Sequence, residues 1–86
     1  MSKPLRNRRG ATNLGQKFGK RVRSIRQRKA WSLEELAERA GMHVTYLSSI
    51  ERGHRNPTLN VIASLAAALA VSLAELLSGV EAGGER

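Results

Sequence analysis

The sequence predicts an all-α domain of five short helices, and three observations lead to that prediction. Apolar residues recur at steps of three and four through the middle of the chain, which is the spacing of helices that bury one face. The helix-starting pattern Ser-x-x-Glu opens two of the apolar stretches, at Ser32 and at Ser72, and glycine follows two of them. No stretch alternates apolar and polar residues as a half-buried strand would.

The first predicted helix carries a single apolar stripe on a basic surface. The stripe consists of Leu14, Phe18, Val22 and Ile25, at steps of four, four and three. Gly15 and Gly19 interrupt its beginning, and glycine lowers helix propensity by about 1 kcal/mol relative to alanine. We therefore expect a helix whose first turn is weak.

The second helix has the clearest start in the chain. Ser32 and Glu35 form a capping box, and Trp31 in front of it can pack onto Leu36. We expect this helix to end at Gly41, because glycine is suited to the left-handed conformation of a C-terminal cap.

Three more segments complete the predicted fold. A third helix spans about Val44 to Arg52 and ends at Gly53. After the break at Asn56-Pro57, Thr58 can cap a fourth helix. A second capping box, Ser72 with Glu75, separates a short fifth helix that carries Leu73, Leu76 and Leu77.

The chain divides into an arm, a domain and a tail. Residues 1–13 are polar and basic with no apolar period, so we interpret them as a flexible N-terminal arm. Residues 14–80 form the domain, and residues 81–86 form a C-terminal tail. The Ala- and Leu-rich stretch 61–77 could be taken for a membrane span, but it is short of the ~20 residues required and a capping box divides it. No membrane partner is expected.

Charge and composition narrow the function. Residues 1–29 hold eleven Lys and Arg and no acid, whereas residues 30–86 hold four basic and seven acidic residues. Such a concentration of positive charge favours a polyanionic partner, with nucleic acid ahead of an anionic membrane. The absence of Cys and Asp, with only two His, argues against zinc fingers, catalytic zinc and Ser-His-Asp hydrolases. We expect neither an enzyme nor a cofactor, a metal or a small-molecule ligand.

The second and third helices carry the most specific pattern. Ala37, Gly41, Leu47 and Ile50 have the spacing of a helix-turn-helix unit. A small residue is needed where the second helix crosses the first, and the turn needs a positive φ that glycine adopts easily. Leu47 and Ile50 then hold the two helices together.

Three segments carry a family resemblance: RVRSIRQRKAWSLEELAERAG, YLSSIERGHRNPTL and IASLAAALAVSLAELL. They resemble the lambda-repressor-like, XRE-type helix-turn-helix DNA-binding proteins over residues 17–78. The segment TYLSSIERGHRN is also similar to the controller proteins of restriction–modification systems, although other small regulators of the family share it.

The resemblance implies a five-helix lambda-repressor-like domain that regulates transcription by binding double-stranded DNA, with the third helix in the major groove. The base-reading residues that it implies are Val44, Thr45, Tyr46 and Ser49. A further set of residues is implied at or beside the DNA backbone, or could substitute for a missing backbone contact: Arg23, Lys29, Ser32, His43, Ser48, Arg52, Arg55 and Asn56. On charge alone, the arm residues expected on phosphates or in the minor groove are Lys3, Arg6, Arg8 and Arg9.

Two positions depart from the family pattern. Leu33 stands where the family usually has a Gln that holds a phosphate, so the usual backbone clamp is in doubt. Ala70 stands where the family has Gly between the last two helices. A left-handed Ala costs about 1 kcal/mol, so we expect that junction to differ.

The resemblance also implies a buried ion pair between Arg26 and Glu51. The sequence agrees, because Glu51 is the only acid between Glu38 and Glu75. We expect the pair to stabilise the fold.

A homodimer is expected because a chain this short cannot bury all the apolar residues at its end. The interface residues predicted are Leu73, Leu76, Leu77 and Val80. One recognition helix reads few base pairs, so a two-fold symmetric dimer on an inverted-repeat operator is expected, in the cytoplasm and associated with the nucleoid.

Two other classes of function remain open. The first is binding of RNA or of DNA without sequence preference, although three aromatic residues do not supply a stacking platform for bases. The second is a protein-interaction module of the same fold, such as an antitoxin. Binding to one operator against excess competitor DNA separates these alternatives.

Overall fold

The computed structural model describes the backbone of residues 4–81 and the side chains of residues 13–81. Over this part the chain is all-helical, as the sequence predicts. The five helices are α1 (Pro4–Arg28), α2 (Leu33–Ala40), α3 (Val44–Glu51), α4 (Leu59–Leu69) and α5 (Leu73–Leu76).

Helix α1 begins well before the start that the apolar stripe indicates. The stripe begins at Leu14, but helical backbone starts at Pro4 and so extends into the segment assigned to the arm. Proline is compatible with the first turn of a helix because that turn leaves its N–H groups unbonded in any case. Most of the residues that follow Pro4 have good helix propensity. Apolar periodicity alone does not reveal a helix of this kind, because it depends on the spacing of apolar residues only.

The predicted N-terminal caps are present at three helices. The hydroxyl oxygen of Ser32 accepts a hydrogen bond from the backbone N–H of Glu35 at 3.0 Å. Thr58 accepts from Val61 at 3.2 Å, and Ser72 accepts from Glu75 at 3.0 Å. Each bond satisfies one of the N–H groups that a helix leaves unpaired at its start.

Two alanines adopt the left-handed conformation that usually falls to glycine. Ala70 ends α4 with φ 60° and ψ 40°, and Ala30 has φ 59° in the turn after α1. The expected difference at the junction of α4 and α5 is therefore not found. The last turn is held instead by hydrogen bonds from the N–H of Ala70 to the carbonyl of Ala67 and from Val71 to Ala66, so the helix-ending geometry survives the methyl group.

The core lies where α1, α2, α3 and α4 meet, with α5 packed against α4. Its side chains include Phe18, Val22, Ile25, Leu36, Leu47, Ile50, Leu65, Leu69 and Leu76. The stripe of α1 is thus buried as predicted, and Leu14 at its start is half-buried. Burying each such side chain contributes about 1.5–3 kcal/mol.

The glycines of α1 have a packing role that the sequence analysis does not anticipate. A Cβ on Gly19 would lie 2.4 Å from the carbonyl oxygen of Ile50 and 2.5 Å from that of Glu51. The end of α3 therefore lies directly on the backbone of α1 at this point. Glycine is needed here because any side chain would force the two helices apart.

Two basic residues of α1 hold the C-terminal part of the chain. Arg21 donates through Nε and Nη2 to the carbonyl oxygen of Glu75, at 3.2 and 2.7 Å. Lys17 donates to the carbonyl oxygen of Glu81 at 2.7 Å. Positive charge near the carbonyl of Glu75 is favourable because the C-terminal end of a helix carries partial negative charge. This part of the basic excess thus stabilises the fold.

The Ala- and Leu-rich stretch is divided between α4 and α5 at Ala70. No helix within residues 4–81 is long and apolar enough to span a bilayer.

Candidate nucleic-acid interface

Helices α2 and α3 form the helix-turn-helix unit that their spacing predicts. Ala37 is 3% exposed, and Gly41 takes the left-handed conformation at φ 70°. The N–H of Met42 then donates to the carbonyl oxygen of Ala37 at 3.0 Å, which closes the turn. Leu47 and Ile50 are fully buried against the neighbouring helices. The turn and the core contacts together fix the orientation of α3.

One face of α3 is open to solvent. Thr45 is exposed, and Val44, Tyr46 and Ser48 are half-buried. His43 precedes the helix at its N-cap position and is exposed. The first turn of α3 therefore presents hydroxyl, phenol and methyl groups, and hydroxyl and methyl groups are among those that can contact base edges in a major groove.

Ser49 is not on that face, and its assignment to base reading is corrected. Only 9% of Ser49 is exposed. Because α3 packs against both α1 and α2, its buried surface is wider than the stripe formed by Leu47 and Ile50. Ser49 lies within this wider surface and offers little exposed area to a partner.

A polar cleft joins α1 to the end of α3. It has a volume of about 470 Å³ and is lined by Gln16, Lys20, Arg23, Glu51, Arg52 and His54. Arg23 and Arg52 are predicted backbone contacts that the fold brings together. Lys20 and His54 also line the cleft, and neither is among the contacts that the sequence predicts. No local pattern identifies Lys20, because its place in the cleft depends on where α3 crosses α1.

Arg52 and Arg55 follow α3 and take different positions. The Nε of Arg52 donates to the carbonyl oxygen of Ser48 at 3.3 Å, so this side chain folds back along α3. The guanidinium carbon of Arg55 lies 5.5 Å from the centre of the Tyr46 ring. Both arginines are exposed, and neither has an ion pair with a carboxylate among residues 13–81.

The other predicted backbone residues are dispersed. Ser32 is exposed but its hydroxyl caps α2, and Asn56 is exposed in the loop after α3. The Lys29 ammonium lies 5.3 Å from the centre of the Trp31 ring, and the Arg39 guanidinium lies 4.1 Å from it. The side chains of the four arm residues Lys3, Arg6, Arg8 and Arg9 lie outside the described residues. Leu33 packs against the core and offers no polar group to a phosphate.

An ion pair fixes the far end of α3 to α1. Arg26 donates to both carboxylate oxygens of Glu51, from Nε at 2.7 Å and from Nη2 at 2.9 Å. Its Nη1 donates to the carbonyl oxygen of Trp31 at 2.8 Å, so α1, α3 and the turn before α2 are joined at one guanidinium. The hydrogen bond to Glu51 raises the pKa of Arg26 above its ordinary value. The contact that the sequence analysis expects is present, and its energetic role remains a prediction.

The residues predicted to join two protomers differ in exposure. Leu73 is 45% exposed, and Leu77 and Val80 are half-buried. Leu76 is fully buried in the core of its own chain, so the prediction that it contacts a second protomer is wrong. Leu59, which was not among the predicted residues, is 75% exposed at the start of α4.

Comparison with known proteins gives a consistent result. A family model described as helix-turn-helix matches residues 22–76. The chain is 39% identical over 70 residues to the HTH-type transcriptional regulator DdrOP3 of Deinococcus deserti, covering 81% of this chain and 54% of that protein. It is 47% identical over 57 residues to the control protein C.SmaI of Serratia marcescens, covering 66% of this chain and 68% of that protein.

A solved structure supports the same fold. The restriction–modification controller protein C.AhdI from Aeromonas hydrophila superposes with a TM-score of 0.71 at 42% identity, covering 72% of this chain and 94% of that one. The similarity therefore extends both to controller proteins and to other regulators. The chain spans about half the length of several regulators that it matches, DdrOP3 among them.

Proposed function

The chain belongs to the helix-turn-helix family, a family of regulators rather than enzymes. We propose that it is a transcriptional regulator that binds double-stranded DNA in a sequence-specific manner. The observation that carries the proposal is the exposed first turn of α3, fixed by the turn at Gly41 and flanked by arginines without acidic partners among residues 13–81.

In this proposal α3 enters the major groove and its first turn reads bases. Thr45 supplies a methyl group for thymine or a hydroxyl for any base, and Tyr46 supplies a phenol. Val44 adds an apolar contact beside them. Because Ser49 is only 9% exposed, we assign base reading to these three side chains of α3.

The polar cleft beside α3 is proposed to receive the DNA backbone. Arg23 and Arg52 line it, and Lys20 adds a third cation. These residues take the place of the phosphate contact that Leu33 cannot make. His43 at the start of α3, Ser48 within it and Asn56 in the loop after it are proposed as further contacts, with Ser32 and Lys29 contributing from the turn before α2. Cations that neutralise phosphates supply affinity without sequence preference.

We further propose that two copies bind an inverted-repeat operator as a homodimer. Leu73 is exposed, and Leu77 and Val80 are half-buried beside it in the chain, so the C-terminal segment keeps an apolar surface that its own core does not cover. A second copy that covers this surface would place two recognition helices on one face, as a palindromic site requires.

A binding experiment with two variants tests the proposal. A preferred duplex is selected from a random library with the unaltered protein, and its affinity is compared with that of a scrambled duplex across a salt series. Thr45→Ala should lower affinity for the selected duplex by about 1–3 kcal/mol and change the scrambled duplex little. Arg23→Ala should weaken both and make the slope of log K against log salt shallower by about one.

Each alternative function gives a different result in the same experiment. Equal affinity for all duplexes, with Thr45→Ala unchanged, would indicate binding without sequence preference. Absence of binding at low salt would contradict the proposal and favour a protein-interaction module.

A further inference from the structure

The exposed guanidinium of Arg55 faces the aromatic ring of Tyr46, which lies nine residues earlier in the chain. We propose that Tyr46 is a positioning residue for Arg55: its ring holds the guanidinium beside the reading face of α3 so that the two side chains engage DNA as one unit. The inference rests on the proposed function, because it concerns how the same surface meets DNA.

The ring of Tyr46 is fixed before any DNA is present. Tyr46 is half-buried and packs against the hydrophobic core, and it lies in α3 between the exposed Thr45 and the fully buried Leu47. A ring held on one side by the core has little rotational freedom. Its other side can therefore serve as a platform for a neighbouring side chain.

The backbone that carries Arg55 is fixed as well. The N–H of His54 donates to the carbonyl oxygen of Ser49 at 2.9 Å. Gly53 is buried against α1, where an added Cβ would lie 2.8 Å from the Cα of Gln16. With both ends of the contact anchored, only the torsions of the Arg55 side chain decide where its charge lies.

A cation–π contact suits this purpose better than an ion pair would. The ring attracts the guanidinium through its face and consumes none of the five N–H donors, which lie in the guanidinium plane. Arg55 thus keeps its full positive charge and its donors for DNA. A carboxylate at the same place would neutralise the charge and occupy the donors.

The contact also reduces the entropy lost on binding. A free arginine side chain loses much rotamer freedom when it is immobilised, and a side chain already held loses less. An exposed cation–π contact corresponds to a factor of about two to five in an equilibrium constant. That factor is the coupling expected between Tyr46 and Arg55 in DNA binding.

A double-mutant cycle measures this coupling. Affinity for a duplex selected from a random library is measured for the unaltered protein, Tyr46→Leu, Arg55→Ala and the double variant. Arg55→Ala should cost about two- to fivefold more in the presence of the ring than in its absence. Tyr46→Phe keeps the ring and should retain the coupling even where loss of the hydroxyl lowers affinity.

Arg52 provides the matched control. It is an exposed arginine at the end of the same helix, and it bonds to the carbonyl oxygen of Ser48. The effects of Arg52→Ala and Tyr46→Leu should therefore multiply without coupling. If the Tyr46–Arg55 cycle also multiplies, the positioning role is overturned.

A measurement without DNA separates this inference from the proposed function. The ring should shift the NMR signals of the Arg55 side-chain protons upfield in the free protein, and Tyr46→Leu should remove the shift while Tyr46→Phe preserves it. If no duplex is preferred, the proposed function fails and the cycle is run on random-sequence duplex instead. Absence of the ring-current shift overturns the inference whatever the DNA result.

Discussion

Replacing Gly19 by alanine should destabilise the fold although alanine is the better helix former. The added methyl carbon would lie 2.4 and 2.5 Å from the carbonyl oxygens of Ile50 and Glu51, and both are backbone atoms that no rotamer change can remove. Alanine gains about 1 kcal/mol of helix propensity in α1. Forcing packed helices apart costs about 3 kcal/mol when backbone must move. The net loss should be about 2 kcal/mol.

Gly15 supplies the control because it lies one turn earlier in the same helix. An added Cβ there would lie 3.3 Å from the carbonyl oxygens of Gly53 and Arg55, which is a tight contact but not an overlap. The gain in propensity is the same at both positions. Gly15→Ala should therefore change stability by less than about 0.5 kcal/mol, so the difference between the variants gives the steric cost at Gly19 in excess of that at Gly15.

Urea unfolding followed by far-ultraviolet circular dichroism measures both variants under identical conditions. In thermal unfolding of a domain of this size, a loss of 2 kcal/mol corresponds to a fall in Tm of roughly 8–16 °C. If Gly19→Ala is as stable as Gly15→Ala, or more stable than the unaltered protein, α3 does not lie on the backbone of α1 as described.

Three further predictions follow from single contacts. Glu51→Ala leaves Arg26 buried without its partner and should lower the free energy of unfolding by about 3 kcal/mol in the same urea assay, and an unchanged midpoint would contradict a structural role. Ala70→Gly removes the strain of a left-handed alanine and should raise stability by about 1 kcal/mol, whereas a loss would show that the methyl group is stabilising there. Leu73→Ser should shift sedimentation at tens of micromolar toward the monomer and leave the helical signal unchanged, and a dimer that withstands this change argues against the C-terminal interface. Its buried neighbour behaves differently, since Leu76→Ala should cost about 2–5 kcal/mol of stability.

The helix boundaries that the sequence predicts well depend on local signals. Ser32, Thr58 and Ser72 accept bonds from N–H groups only three residues away, and Gly41 closes α2 with bonds to residues of the preceding turn. Such interactions are complete within one turn, so one sequence suffices to identify them. The start of α1 at Pro4 lacks an equivalent pattern, which is why periodicity placed it too late.

The role of Gly19 could not be predicted from local pattern. Glycine in a helix has a known cost in propensity, and that cost is all that neighbouring residues reveal. The compensating contact joins Gly19 to Ile50, which is remote in sequence. Its existence depends on which face of α1 receives α3. The same packing creates the polar cleft and places Lys20 in it, so that residue was missed for the same reason.

The assignments of Ser49 and Leu76 both underestimate how much the folded chain buries. That of Ser49 assumes that α3 buries only the stripe of Leu47 and Ile50, and that of Leu76 assumes that the core cannot accommodate the leucines at the end of the chain. Helix α3 packs against α1 and α2, and α5 packs against α4 while Arg21 bonds its carbonyl end to α1. Of the four residues of α5, Leu76 alone is buried, whereas α3 between its two neighbours buries Leu47, Ser49 and Ile50. The surface proposed to read bases therefore narrows to the first turn of α3, and sequence preference should depend on Val44, Thr45 and Tyr46.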